Sequence, residues 1–240
     1  MHLKKATTMF AAAAIALTAI TAALQADHHG GDNEGFTSIF DGRTLTGWKG
    51  DLRYWSVKDG AITATTEEGK LLRYNTFLIW NEQQVANFEL RLKYKIVGGN
   101  SGIQYRSRVV EDERYVVSGY QADIDSSPVY SGIMYEERAR GILAQRGTAV
   151  EIQPNGNKNV VETFGDATAL QSKINNEDWN DYTIIADGNT MTHIINGQIM
   201  SKTIDNQENA GSSRGVLALQ AHQGPPMQVQ FKDIMIKNLD

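Results

Sequence analysis

From Phe88 to Ile96 the chain reads Phe-Glu-Leu-Arg-Leu-Lys-Tyr-Lys-Ile, with apolar and charged residues alternating without an error. A period of two places one set of side chains on a core and the other in solvent, which predicts a half-buried strand. Gly98-Gly99 ends it, and Ser101–Arg106 follows as a second strand, so the pair is expected to form a hairpin. The same reading predicts strands over Trp55–Val57, Ala61–Thr65, Phe77–Trp80, Tyr120–Asp125, Gly132–Tyr135, Tyr182–Asp187, Thr192–Ile195, Gly215–Ala221 and Gln228–Ile236. Asp59-Gly60, Asp187-Gly188 and Asn196-Gly197 are turn dipeptides placed between strands, as tight hairpins require. No window from Phe36 onward sustains the 3.6-residue period of a large helix, and no internal repeat is found. Many short strands with regular turns predict an all-β sandwich or jelly roll. The stretch from Tyr135 to Ser172 reads as a long irregular loop, and such loops are usually functional or mobile.

The first residues break this pattern. Lys4 and Lys5 precede an apolar, alanine-rich run from Met9 to about Leu24, and small residues close it. That order predicts a secretory signal peptide over residues 1–26, cleaved after Ala26 or after Ala23. The run falls slightly short of the roughly 20 residues a spanning helix needs, which disfavours an uncleaved anchor. Residues 27–35 read as a polar linker, and 36–240 as one domain in the periplasm or outside the cell. The chain has no cysteine, so disulfides and thiolate chemistry are excluded, and an exported domain of this kind must be stabilised by its core. Removing Lys4 and Lys5 takes the formal charge from −5 to −7, which argues against a nucleic-acid partner.

Candidate chemistry follows from the strand period. Gln121, Asp123 and Asp125 stand two residues apart and share one face of their strand, where three polar groups line either a cleft or bulk water. Gln104 and Arg106 share a face of the neighbouring strand, and Arg106 could neutralise a carboxylate there. Glu136 lies where a strand runs into the long loop. His222 closes a strand, shares its face with Gln220, and is a candidate acid, base or ligand. His193, inside a turn-bounded strand, is expected to be structural, and His28-His29 to belong to a polar tether. Nucleophile elbows, HExxH, Walker and GxGxxG motifs are absent, as is the paired-glutamate strand of laminarinase-type glycosidases. Double-carboxylate glycoside hydrolysis is therefore disfavoured.

The stretch Phe36–Trp48 (FTSIFDGRTLTGW) resembles the opening of the 3-keto-disaccharide hydrolase domain family. Further matching pieces are Trp55–Gly60, Gly99–Ile103, Gly119–Gln121, Ser131–Tyr135, Glu177–Asn180, Asn196-Gly197 and Leu219–His222, in the family's order over nearly the whole mature chain. The resemblance implies a concanavalin-like jelly-roll β-sandwich and an exported enzyme acting on glycosides oxidised at C3. A C3 ketone acidifies the C2 proton, so a base can remove it and expel the C1 substituent, and water can then add back. The reaction needs a base, an acid near the glycosidic oxygen, and a group that stabilises the enolate, a role a divalent metal ion could also fill.

Carried onto this chain, the resemblance implies Glu136 and His222 as the proton-transfer pair. Gln104, Arg106, Gln121 and Gln220 would face sugar hydroxyls or the enolate, and Asp123 and Asp125 hydroxyls or a cation. Gln121 stands where relatives carry glutamate, which weighs against catalysis at that position. Asn100 is expected to fix a turn. Trp48, Trp55 and Trp179 could stack on sugars, with at least two of them expected in the core. The rival expectation is a non-catalytic carbohydrate-binding module on the same scaffold.

Overall fold

The computed structural model describes residues 34–240, so the expected signal peptide and most of the expected linker lie outside the described residues. Seventeen strands form among them. The first nine are β1 (Thr37–Ser38), β2 (Trp48–Lys49), β3 (Trp55–Lys58), β4 (Ala61–Thr66), β5 (Thr76–Val85), β6 (Phe88–Val97), β7 (Asn100–Glu111), β8 (Val116–Asp125) and β9 (Met134–Glu137). They are followed by β10 (Gly141–Ala144), β11 (Thr148–Ile152), β12 (Lys158–Thr163), β13 (Asn180–Asp187), β14 (Thr190–Ile195), β15 (Gln198–Asp205), β16 (Gly215–Ala221) and β17 (Met227–Asn238). One sheet runs β12-β11-β15-β14-β13-β6-β17-β4-β3, with β1 also paired to β17; the other runs β10-β9-β8-β7-β16-β5-β2. The expected all-β sandwich is what forms, with its core between the two sheets.

The core follows from alternation. Phe88, Leu90, Leu92, Tyr94 and Ile96 of β6 are buried, while the charged residues between them are only partly covered. Tyr182, Ile184 and Ala186 of β13 extend that inner face, since β13 pairs with β6. Opposite them stand Ile103 and Tyr105 of β7, Tyr120, Ala122 and Ile124 of β8, and Leu217 and Leu219 of β16. Each of the Phe, Leu and Ile side chains among them contributes about 1.5–3 kcal/mol by leaving water. Trp48 and Trp55 belong to this core. Trp179 lies elsewhere, under the ammonium groups of Lys95 and Lys232.

Two expectations change. The β6–β7 pair is not a hairpin, because β6 belongs to the ten-stranded sheet and β7 to the seven-stranded one. Gly98 and Gly99, at φ 69° and 65°, form a corner that carries the chain across the core. A Cβ on Gly98 would stand 2.7 Å from the Pro226 carbonyl oxygen, so only glycine lets the corner close. The stretch from Tyr135 to Ser172 is likewise no plain loop. It carries the end of β9, all of β10, β11 and β12, and a short helix α1 (Ala167–Gln171) capped by Asp166. β12 is exposed throughout and β15 buries Ser201, Thr203 and Asp205, so neither shows apolar alternation in sequence.

Candidate active site

The seven-stranded sheet has a second face, turned away from the core, and strand period selects what lies on it. On β8 the core takes Tyr120, Ala122 and Ile124, so Gln121, Asp123 and Asp125 point the other way. Register then brings in neighbours: Gln104 of β7 stands opposite Gln121, and so does Tyr135 of β9. Glu137, two residues past Tyr135, shares its face. A cavity of about 560 Å³ opens here, lined among others by Asn75, Asn100, Asp123, Tyr135, Glu137 and His222.

Side-chain amides organise the floor. Ser107 Oγ donates to Gln104 Oε1 at 2.6 Å, and Gln104 Nε2 donates to Gln121 Oε1 at 2.9 Å. Gln121 Nε2 donates to Asp123 Oδ1 at 2.6 Å and reaches Gln220 Oε1 at 3.5 Å. Gln220 Nε2 stands 3.5 Å from Glu137 Oε2, while Asn75 Nδ2 donates to Glu137 Oε1 at 3.1 Å. Asn75 is itself held by the Gln223 N–H at 2.9 Å. Gln121 and Asn100 turn an N–H toward the Asp123 carboxyl, and Asn75 and Gln220 toward that of Glu137. Gly102 makes room for the crossing, because a Cβ there would stand 2.4 Å from Gln121 Cδ.

Burial pushes the Asp123 carboxyl up to about 7, against hydrogen bonds from Gln121 and Asn100 that favour the charged form. Burial also raises the Tyr135 phenol, and the nearby Glu137 and Asp123 charges add to the effect. Asp125 lines the cavity but uses its carboxylate locally, accepting from Ser127 N–H and Oγ and from Tyr130 N–H. His222 sits half-buried at the rim, with Nδ1 against the Gln223 carbonyl. Among the described residues no group of three or more His, Asp or Glu side chains is placed to hold a metal ion.

Asp123, Asp125, Gln121, Gln220, Gln104 and His222 are thus brought to one region, whereas Arg106 and Glu136 are not. A bulge after Tyr105 puts Arg106 at φ 46° and turns its guanidinium away. There it donates to the Ala86 and Gly188 carbonyls and to Asn87 Oδ1. Glu136 pairs across strands with Tyr120 and therefore faces the inner side, where Arg140 Nε holds it at 2.5 Å. The same Arg140 reaches Asp205 at 2.6 Å. His193 lies in the core as expected, between Tyr105 Oη and the Ile133 carbonyl.

Glu137, Tyr135 and Asn75 were not singled out from sequence. The signal for Glu137 was the β9 register, which puts it and not Glu136 on the Gln121 face. Asn100, expected to fix a turn, lines the cavity and donates to Asp123 at 3.4 Å.

Solved structures with this fold include a glycosyl hydrolase candidate from Parabacteroides distasonis. It is 22% identical, with TM-score 0.55 over 86% of this chain and 95% of that one. A carbohydrate-binding module, CBM66 from Bacillus subtilis, is 12% identical at TM-score 0.52 over 80% and 96%. These likenesses establish the jelly-roll fold. A 3-keto-disaccharide hydrolase of Bacteroides thetaiotaomicron is 34% identical over 87 residues, a match spanning 33% of this chain and 30% of that protein. Residues 35–237 match the model of the 3-keto-alpha-glucoside-1,2-lyase-like domain, and the chain belongs to that family.

Proposed function

We propose that this domain cleaves 3-keto-glycosides by elimination and hydration, with Glu137 and Asp123 as its proton-transfer pair. A base takes the C2 proton, the C2–H electrons form the enolate, and its collapse makes the C1–C2 double bond and breaks the C1–O bond. The departing oxygen takes a proton from the acid. Water then adds its hydroxyl to C1 and its proton to C2. Glu137, oriented by Asn75 and Gln220, is the base. Asp123, titrating near neutrality, is the acid, since an acid works best with a pKa near the working pH. The amide hydrogens of Gln121, Asn75 and Asn100 meet sugar hydroxyls and the enolate oxygen. His222, at the rim, passes protons to water and serves the hydration step.

The observation that carries this reading is the juxtaposition in one 560 Å³ cavity of a buried carboxyl near pH 7 with a second carboxylate aimed by two amides. The family membership supports the substrate class. Export is part of the proposal; among the described residues no helix is long and apolar enough to cross a membrane. N-terminal sequencing of mature protein would then begin at Asp27 or Leu24.

Incubation with a 3-keto-glucoside, with and without chelator, tests the reaction. Release of the aglycone in both arms is expected. Saturable binding with no release removes the enzymatic reading and leaves a carbohydrate-binding module.

A further inference from the structure

Glu136 does line a cavity, though not the one described above. It lies on the inner side of the seven-stranded sheet, where β7, β8 and β9 meet the segment 209–214, and measures about 380 Å³. Its charged lining is Arg106, Arg108, Arg140, Arg214 and Glu136. Arg140 neutralises Glu136 and, just beyond the cavity, Asp205. Arg106 is bound by carbonyls and an amide, not by an acid. Four guanidiniums against two carboxylates leave the hollow net positive inside a chain whose formal charge is −5. Arg108 and Arg214 are exposed, and among the described residues neither has an acidic partner.

Ser118 makes the second observation. It stands opposite Arg108 in the β7–β8 register and lines the cavity. The residue is 4% exposed, yet its hydroxyl has no hydrogen-bond partner among the described residues. The hydroxyl oxygen is open to the hollow and not sealed in the core. Here an unused donor is aimed into a hollow that carries two uncommitted guanidiniums. Planar guanidinium forks match the paired oxygens of an oxyanion and bind them through two parallel N–H groups.

We propose that this cavity is an oxyanion-binding site in which Arg108, Arg214 and Ser118 hold a sulfate, phosphate or like group. The group is either a free ion or an ester on a sugar, and the chemistry of capture is the same for both. The site is separate from the reaction pocket: none of the three residues lines that pocket.

Isothermal titration calorimetry at constant ionic strength, with sodium sulfate, glucose 6-sulfate and glucose as probes, tests it. Saturable binding of one or both sulfated probes, and none of glucose, is expected. Tighter binding of glucose 6-sulfate than of sulfate makes a sugar ester the source, and equal or stronger binding of sulfate makes it the free ion. R108A/R214A should weaken binding at least tenfold and S118A severalfold, and both lie where the fold tolerates them. Aglycone release from a 3-keto-glucoside should stay at the wild-type rate in both variants. Absence of saturable binding by either sulfated probe, or binding unchanged in both variants, overturns the proposal.

Discussion

Glu136 and Glu137 are chain neighbours that face opposite sides of the seven-stranded sheet: Glu136 closes an ion pair with Arg140 on the inner side, and Glu137 accepts from Asn75 in the outer cavity. The pleat separates their chemistry completely. Glu137→Gln should lower turnover of a 3-keto-glucoside by at least about 10²-fold, the lower range for loss of a general base, with little change in melting temperature. Glu136→Gln should do the reverse. It breaks one of the two bridges Arg140 makes, costing about 1–3 kcal/mol of stability, while activity per folded molecule holds. Paired kinetics and thermal melts decide it; equal losses of turnover in both variants would reject Glu137 as the base.

Gly102 offers a test of the amide floor that removes no polar group. A methyl there would stand 2.4 Å from Gln121 Cδ, so Gly102→Ala must displace the Gln121 side chain. That loosens its bonds to Asp123 and Gln220 together. Overpacking should cost about 1–3 kcal/mol, and misplacing the acid should lower kcat by about 10²-fold. Wild-type kcat in a folded Gly102→Ala protein would mean that Gln121 does not position Asp123.

The corner at Gly98-Gly99 shows where sequence reading stopped. Apolar alternation on β6 correctly gave its core face, and the spacing of Gln121, Asp123 and Asp125 correctly gave their common face, because both are properties of one strand. Partner choice is not such a property. A glycine pair between two strands suits a hairpin and a cross-core corner alike, and only the packing of Pro226 and Met227 against it decides for the corner. Arg106 was misplaced for a related reason: a bulge adds one residue and switches the face of everything that follows. Glu136 and Glu137 are indistinguishable in sequence because the parity of β9 is set by its pairing with β8, which leaves no local trace.

Gly98→Ala should therefore destabilise beyond the cost of its backbone angle. Gly69 supplies the control, since at φ 81° an added methyl would meet no atom within 4 Å and its alanine variant carries strain alone. That strain is about 1–2 kcal/mol. Gly98→Ala adds the clash with the Pro226 carbonyl, so its melting temperature should fall by roughly 5–10 °C, against roughly half that for Gly69→Ala. Equal falls would show that the corner has room to spare.

Two buried groups give the fold opposing responses to pH. Asp123 titrates at about 7 in the folded chain against an ordinary 3.8, so between those values the native state holds a proton that the unfolded chain has released. Its contribution therefore falls as pH rises from about 4 to 7. His193 is pushed by burial down to about 3 from 6.5. The Ile133 carbonyl can only accept, so Nδ1 carries the hydrogen and Nε2 accepts from Tyr105 Oη, which leaves no place for a second proton. Between pH 3 and 6.5 the unfolded chain binds the extra proton, and this contribution rises with pH. Each shift corresponds to about 4–5 kcal/mol over its window, so the two nearly cancel and the wild-type curve should be flat between pH 4 and 6.5. Asp123→Asn should unmask a stability that climbs with pH across this range, and His193→Gln one that declines. Urea denaturation of the three proteins at pH 4, 5, 6 and 7 reads the slopes directly. Parallel curves for wild type and Asp123→Asn would mean that Asp123 is charged in the folded protein, and the acid role given to it in the reaction would go with that result.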